Sequence, residues 1–591
     1  MIFTRLFDIA YYAANNLPNT DMFVTKHQGE WQKTSSREFI GLGNQFSRGI
    51  IKLGIKPGDK IAIITSNTRT EWSIVDFGSL QVGIITVPVY PTIAPADYEF
   101  IFNNAEVKFC FVSDRELYDK VDQIKDRVAS LQGVFSFDNI DGVPNWREVL
   151  DLGRDDSTQN EVDDIAKTIN PTDLATIIYT SGTTGKPKGV MLTHDNIVAN
   201  IKGADERIPM KPNFDYKEAR ALSFLPICHI FERMLFYLYQ SKGISIYFAE
   251  SIDKMGDNIK EVKPHYMTVV PRLLEKVYDK IYDKGTAAGG LKSKIFLWAL
   301  SVNEAKKEIS KPSGIKEIIA DKLVFKKWRE GLGGEITTLV SGSAALSVRL
   351  NKIFQNAGIP ILEGYGLTET SPVISVNSFG HIKAGSVGHP LKNVQVKIQE
   401  DGEITVKGPS IFSGYYNNEE QTREAFTEDG FFKTGDIGHI DSEGYLTITD
   451  RKKEMFKTSG GKYVAPQVIE NLVKASKFIE QLMVVGEGER MPCAIVQPDY
   501  KFAKNWAEIH HISIGESPEE MSKSPELKAR IEKEIEKINK DLGNWEKIKK
   551  IELSPEIWSI EGGELTPTLK LKRKKIKEKY MYLYDRMYQQ Q

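Results

Sequence analysis

Three patterns predict an α/β protein with a large N-terminal region and a small C-terminal one. Through the first 170 or so residues, short apolar runs alternate with helix-period segments, as in parallel sheets covered by helices. From about Gly388 the apolar residues alternate singly, as Val394, Val396 and Ile398 do, which marks a β-rich part. The last 130 or so residues return to a short α/β pattern and end in a lysine-rich tail.

In order along the chain, Ile61 to Ile64, Ile84 to Val89 and Lys108 to Val112 read as strands, and Thr70 to Val82 as a helix between them. Leu174 to Tyr179 is an uninterrupted apolar run, hence a strand buried on both faces. Thr193-His194-Asp195-Asn196 offers side-chain oxygens for a helix start. Residues 280–335 are less regular, glycine-rich at first and then lysine-rich and amphipathic through Trp328. They read either as a solvated helical excursion or as an insertion facing a membrane or a lid. Ile336 to Val340 and Ile359 to Leu362 are two further strands. Asp401-Gly402 between alternating runs predicts one hairpin, and Ser442-Glu443-Gly444 a second, spanning His439 to Thr449. Near the end, Ser524-Pro525 opens a helix whose Leu527, Ile531, Ile535, Ile538 and Leu542 keep one face.

Composition narrows the function. A chain of 591 residues exceeds one ordinary core, and 41% hydrophobic with 27% charged residues belongs to a soluble globular protein. A formal charge of −2 gives no overall drive toward nucleic acid. Cys110, Cys228 and Cys493 lack metal-ligand spacing, so reduced thiols in a reducing, cytoplasmic compartment are expected. The N-terminus lacks the apolar core of a signal peptide, and no uncharged apolar run is long enough to span a bilayer.

The chemistry concentrates after Leu174 to Tyr179. Thr180, Ser181, Gly182, Thr183, Thr184, Gly185 and Lys186 pass from hydroxyls through glycines to a lysine, with Lys188 beyond. Glycine lets backbone N–H groups approach an anion, hydroxyls add neutral donors and lysine adds charge, so the stretch suits a phosphate cradle better than a plain polar loop. It does not fit the Walker A spacing. Two more polar stretches follow strands, Ser341-Gly342-Ser343-Ala344-Ala345 and Glu363-Gly364-Tyr365-Gly366-Leu367-Thr368-Glu369, at the ends where open α/β sheets bind ligands. Gly342 and Gly364 add no side-chain bulk there, and Tyr365 offers a ring on which a flat group could stack. Thr368 could donate to a phosphate oxygen, and Glu369 is a hard oxygen ligand suited to Mg²⁺.

Taken together, these stretches resemble the adenylate-forming enzymes, and Leu225-Pro226-Ile227-Cys228-His229-Ile230-Phe231-Glu232-Arg233 resembles the long-chain acyl-CoA synthetases among them. Lys433-Thr434-Gly435-Asp436, Asp450-Arg451-Lys452-Lys453-Glu454 and Leu565-Thr566-Pro567-Thr568-Leu569-Lys570 follow in the family's order. The resemblance implies a large N-terminal domain, residues 1–450, of parallel α/β sheets plus a β-rich subdomain, and a small mobile α+β lid, residues 451–591. It implies a fatty acid–CoA ligase that uses ATP and Mg²⁺, with coenzyme A as co-substrate; a ligase that loads a carrier protein is the alternative. Adenine and ribose would lie against Gly342, Ser343, Ala344, Glu363, Gly364, Tyr365 and Gly366, with Asp436 and Arg451 on the ribose. Mg²⁺ would be held by Glu369 and Thr180, and Thr368, Glu369, His229, Lys457 and Lys570 would be catalytic. His229 alone could equally be a structural residue. Leu569 stands where the family usually has glycine, which leaves Lys572 as an alternative to Lys570. Lys453 would be the hinge. Peripheral contact with the inner face of a membrane and a homodimer stay open.

Overall fold

The apolar runs of the large region become strands buried on both faces, which is why they read as continuous rather than alternating. The computed structural model describes residues 3–180, 186–207, 218–287, 289–306, 308–474, 476–540, 542–566 and 570–589. It divides into two compact units. The larger comprises Met1–Lys397, Thr405–Lys433 and Ser442–Leu446; the smaller comprises Ile398–Ile404, Thr434–Asp441 and Thr447–Gln591.

Two sheets organise the larger unit. The seven-stranded one runs Gly414–Tyr415, Lys188–Thr193, Leu174–Thr180, Ile85–Pro88, Lys60–Ile64, Val107–Val112, Gly133–Ser136. It is parallel from Leu174–Thr180 outward to Gly133–Ser136 and antiparallel on the other side. The nine-stranded sheet has a parallel centre in which Tyr266–Val269, Thr338–Ser341 and Ile361–Gly366 lie side by side. The predicted helix after Thr70 runs Thr70–Leu80, and that after Thr193 runs His194–Arg207. In the latter, the Asn196 N–H donates to Thr193 Oγ1 and the Thr193 N–H to Asn196 Oδ1, a reciprocal cap.

The helix Ile230–Ser241 has no exposed residue, although Glu232 and Arg233 lie in its first turn. These neighbours bond to different sheets. The Ser223 hydroxyl, on the nine-stranded sheet, donates to Glu232 Oε1. Arg233 donates to Thr176 Oγ1 (2.8 Å) and Thr86 Oγ1 (3.0 Å) on the seven-stranded sheet, and it pairs with Asp76 of the helix Thr70–Leu80. Tyr237 O–H also donates to Asp76. Burial pushes the Glu232 carboxyl up to about 7, against the lowering by the Ser223 and Thr268 hydroxyls.

The less regular region, read as a solvated helical excursion or as an insertion facing a membrane or a lid, is helical: Pro271–Ala287, Gly290–Glu304, Ile315–Ala320, a π-type turn Asp321–Phe325, and Lys326–Gly331. It is not merely solvated. Phe296, Ala299, Leu300, Val324, Phe325 and Trp328 enter the same core cluster as Met267, Leu339 and Ile361 of the nine-stranded sheet. The lysines that dominate its composition sit on the outer faces, which hid this packing in the sequence.

Within the smaller unit, Ile479–Val485, Cys493–Pro498 and Ile551–Leu553 form a sheet. The helix Pro525–Asn539 buries Leu527, Ile531 and Ile535, and Ser524 Oγ accepts from the Leu527 N–H (3.2 Å). The predicted hairpin turns carry their positive φ at Gly402 (+84°) and Gly444 (+86°). All three cysteines are buried and unpaired. No helix among the described residues is long and apolar enough to cross a membrane.

Two predictions follow from packing in the larger unit. Arg233→Ala leaves the buried Asp76 carboxyl without its counter-ion, so urea unfolding of that unit should lose about 3–5 kcal/mol. The double variant Asp76→Leu/Arg233→Met should recover much of the loss, because it removes both charges. At Gly366 a Cβ would stand 1.7 Å from the Pro372 carbonyl oxygen, whereas at Gly364 its nearest neighbour is 3.4 Å away. Gly366→Ala should therefore cost at least about 3 kcal/mol in the same measurement, and Gly364→Ala less than about 1 kcal/mol.

Candidate active site

The described site residues fall into two sets, one in each unit. In the larger unit the glycine- and hydroxyl-rich loop closes a hairpin, because Leu174–Thr180 pairs antiparallel with Lys188–Thr193 and Thr180 stands opposite Lys188. Ser181, Gly182, Thr183, Thr184 and Gly185 lie outside the described residues. At the loop's far end Lys186 is exposed, with its Nζ 5.7 Å from the centre of the Phe100 ring. Lys188 Nζ lies 5.1 Å over the Tyr415 ring. A cavity of about 350 Å³ opens here, lined by Phe100, Asn104, Lys186, Lys188 and Tyr415 among others.

Tyr415 is the member that the sequence did not single out. It is brought in by the short strand Gly414–Tyr415, which pairs with Val190 and Met191. Its O–H donates to Glu369 Oε1 (2.9 Å), so a single ring touches both the cationic side of the phosphate loop and the carboxylate expected to hold a metal. The available signal was Gly414-Tyr415-Tyr416, an aromatic pair after a glycine, and nothing in it announces the partner.

The two strand-end motifs are neighbours, since Ser341 stands opposite Glu363 in a parallel register. Ser343 holds φ at +69°, a left-handed conformation uncommon outside glycine and frequent at functional sites. Ala344 is exposed, and Tyr365, Thr368 and Glu369 are half-buried, so this edge presents both apolar and polar groups. Glu363 turns inward: its carboxylate accepts from the Asn351 amide and the Leu346 N–H (3.3 Å), and burial pushes it up to about 7. Its side chain is thus committed to the core. A Cβ on Gly342 would meet the Phe231 ring at 3.1 Å, so that glycine serves close packing, whereas one on Gly364 would make only ordinary contact with Ser375 and Val376 of the adjoining strand. Gly366 is demanded by the Pro372 carbonyl.

His229 precedes the buried helix and caps it, its Nδ1 accepting from the Phe231 N–H (3.2 Å). That bond places the ring proton on Nε2 in the neutral form. The residue is half-buried, and its ring meets Tyr90 edge-on at 6.4 Å. The histidine thus has a structural task and keeps some exposed surface.

Within the smaller unit, Asp436 and Arg451 come together: Arg451 Nε donates to Asp436 Oδ1 at 3.1 Å, with the carboxylate 5% exposed. Lys570 belongs to the same cluster. Its side chain keeps solvent contact, yet desolvation first and the Arg451 charge second lower its pKa to about 8, with Asp436 and Glu454 acting the other way. The ion pairs change sides at Lys453. Lys452 binds Asp401 (2.6 Å) and Glu403 (2.7 Å), upstream in the chain, whereas Glu454 binds Arg573 (2.8 Å), downstream. Arg573 also pairs with Glu470, so this member of the basic tail is structural. Lys457 lies in the hairpin Phe456–Lys457/Tyr463–Val464, exposed, with its Nζ 4.6 Å over Tyr463.

Mg²⁺ suits this donor set. It keeps several waters and is bound by one or two carboxylates plus substrate phosphates, so the half-buried, hydrogen-bonded Glu369 is the kind of ligand required. Among the described residues no cluster of three or more His, Cys, Asp or Glu could hold an ion by itself.

Comparison with known proteins gives the family. Residues 11–416 match the model of the AMP-binding enzymes, and residues 454–591 that of the AMP-binding enzyme C-terminal domain. The long-chain-fatty-acid–CoA ligase FadD15 of Mycobacterium tuberculosis is 35% identical over 571 residues, 93% of this chain and 92% of the relative. Long-chain-fatty-acid–CoA ligase 1 of Homo sapiens is 32% identical, over 95% of this chain and 82% of the relative. The adenylation domain of a carboxylic acid reductase from Segniliparus rugosus, solved with AMP, superposes with a TM-score of 0.75 at 21% identity, covering 99% and 94% of the two chains. O-succinylbenzoate coenzyme A synthetase of Bacillus subtilis gives a TM-score of 0.67 at 18% identity, covering 96% and 99%. With its motifs in order along the chain and a family match over most of its length, this chain belongs to the AMP-binding enzyme family.

Proposed function

We infer that this enzyme is a long-chain fatty acid–CoA ligase. The observation that carries the inference is the match, over 93% of the chain, to relatives named for that activity, on a chain that keeps Glu369, Asp436, Arg451 and Lys570. In the first half-reaction a carboxylate oxygen of the fatty acid attacks the α-phosphorus of ATP; the bond to the β-phosphate oxygen breaks and pyrophosphate leaves. A carboxylate is a weak nucleophile toward an anion, so the protein must neutralise charge and align the reactants. Lys186 and the loop from Thr180 would hold the phosphates, with Thr368 donating to one of their oxygens. Tyr365 would stack on adenine beside Ser343 and Ala344. Asp436 would accept from the ribose hydroxyls, with Arg451 beside it, and Lys570 would bridge the α-phosphate and the carboxylate. Mg²⁺ on Glu369, with Thr180 nearby, would supply further neutralisation of the phosphates. In the second half-reaction the CoA sulfur attacks the acyl carbonyl carbon, its proton passes to solvent, and the C–O bond to AMP breaks. His229 and Lys457 would face these steps.

The chain would work as two domains, 1–450 and 451–591, that pivot at Lys453. The gap between the two family matches, which end at 416 and resume at 454, supports the pivot. Free, buried thiols fit a reducing cytoplasm. Release of acyl-CoA from free CoA, with no carrier protein added, separates this reading from a carrier-loading ligase.

Lys570→Ala should lower acyl-adenylate formation, read as pyrophosphate release, by about 10²–10³-fold, while thioester formation from supplied acyl-AMP persists. Full adenylation in this variant with loss in Lys572→Ala would transfer the role two residues along. Because the Lys570 pKa is depressed to about 8, its positive charge is lost as pH rises through 8, and adenylation should fall on that limb. Lys570→Arg stays charged and should flatten it. Glu369→Gln keeps the shape but removes the anionic oxygen, so a magnesium titration should show a higher requirement and a lower plateau.

A further inference from the structure

The chain just before Lys570 is tied to the chain just after it. Leu565 and Leu571 form an antiparallel bridge. The Thr566 N–H donates to the Lys570 carbonyl (2.8 Å), and the Lys572 N–H donates to the Glu564 carbonyl (2.7 Å). The Lys570 N–H in turn donates to Thr566 Oγ1 (3.0 Å). Lys570 therefore takes its place from two paired segments, and the pairing begins at Glu564.

Glu564 is only 1% exposed. Leu565, which follows it, and Tyr580, which bonds to it, belong to one buried apolar cluster with Trp558 and Ile576. A carboxylate in such surroundings is costly unless it is paired and hydrogen-bonded. Here Oε1 accepts from Lys579 Nζ (2.5 Å) and from the Tyr580 O–H (3.2 Å), and Oε2 accepts from the Ser559 N–H (3.2 Å). Desolvation acts upward on this carboxyl, but the bonds from Lys579 and Ser559 hold it below its usual range. Lys579 is shared with Glu556 (2.6 Å).

The donors come from both sides of the Lys570 segment. Ser559 lies upstream, and its carbonyl also accepts from the Leu565 N–H (3.0 Å). Lys579 and Tyr580 lie downstream, at the end of the helix Arg573–Lys579. A Cβ on Gly562 would stand 2.3 Å from Glu564 Oε2, so the approaching chain is built closely around the carboxylate. An apolar side chain could fill this place at lower cost, but it would not select one orientation. Three donors aimed at two oxygens do select one.

We propose that Glu564 is a positioning residue for Lys570: clamped by Lys579, Tyr580 and Ser559, it fixes the paired segments that present the lysine for adenylation. The proposal rests on the role given to Lys570 in the ligase reading.

Separate assays of the two half-reactions test it on the full chain. Glu564→Gln keeps the shape and removes the charge, and it should lower pyrophosphate release about 10–100-fold, with Lys579→Met comparable. Thioester formation from supplied acyl-AMP should keep the wild-type rate in both variants. The Lys570 charge supplies a second readout. Desolvation first and Arg451 second depress that ammonium, with Asp436 and Glu454 opposing, so a slackened segment hydrates it. The alkaline limb of adenylation should then move to higher pH in Glu564→Gln. Finally, Glu564→Gln/Lys570→Ala should be no slower than Lys570→Ala alone, because both changes act by one route. Wild-type adenylation in Glu564→Gln, equal losses in the two half-reactions, an unmoved limb or a slower double variant would each overturn the proposal. Wild-type adenylation in Lys570→Ala would overturn the reading of Lys570 itself, and the proposal with it.

Discussion

The larger unit depends on a helix that carries opposite charges at adjacent positions and exposes neither. Glu232 is held from one sheet through Ser223, and Arg233 reaches Thr176 and Thr86 on the other. Desolvating ions is costly, and the arrangement persists because Arg233 finds partners in Asp76, Thr86 and Thr176, although its Nε and Glu232 Oε2 have none. A hydrophobic substitute could supply the packing, but it would accept many sliding positions between two strand surfaces. The guanidinium accepts the one that satisfies Asp76, Thr86 and Thr176 together. His229 caps this same helix, so a histidine at the edge of the site takes its position from an ion pair in the core.

The groups proposed to handle the nucleotide are divided between the units. Those proposed for the phosphates and the base, from Lys186 to Glu369, belong to strand ends of the larger unit, where sheet registers fix them. Asp436, Arg451 and Lys570 belong to the smaller unit and share one electrostatic environment. The ammonium of Lys570 is there made easier to deprotonate by desolvation first and by the neighbouring Arg451 second. Any motion that separates Lys570 from these surroundings therefore raises its pKa back toward that of an ordinary lysine.

Much of this was legible in the residues. Lys60–Ile64, Val107–Val112 and Leu174–Thr180 announced themselves because a strand covered on both faces must be apolar throughout. The hairpin at Asp401-Gly402 was legible because a positive φ asks for glycine. What failed was long-range or directional. A glutamate next to Gly364-Tyr365 reads the same whether its carboxylate faces a ligand or, as Glu363 does, Asn351. Tyr415 meets Glu369 across 46 positions in the chain, and no local pattern encodes that meeting. The helices between Gly290 and Gly331 were obscured because their outer faces break the simple rule of apolar inside and polar outside.

The three cysteines have a practical consequence. Each is buried and unpaired, and burial raises all three thiols, Cys228 to about 12, so little of any is thiolate near neutral pH. Alkylating reagents and maleimide dyes should pass them by while the protein is folded. A cysteine introduced at an exposed position of each unit could then carry a fluorophore or a spin label without first stripping the native ones, and the distance between the two labels would follow the units through a catalytic cycle. The same inertness makes the native thiols a reporter of unfolding, since they become reactive only when their surroundings open.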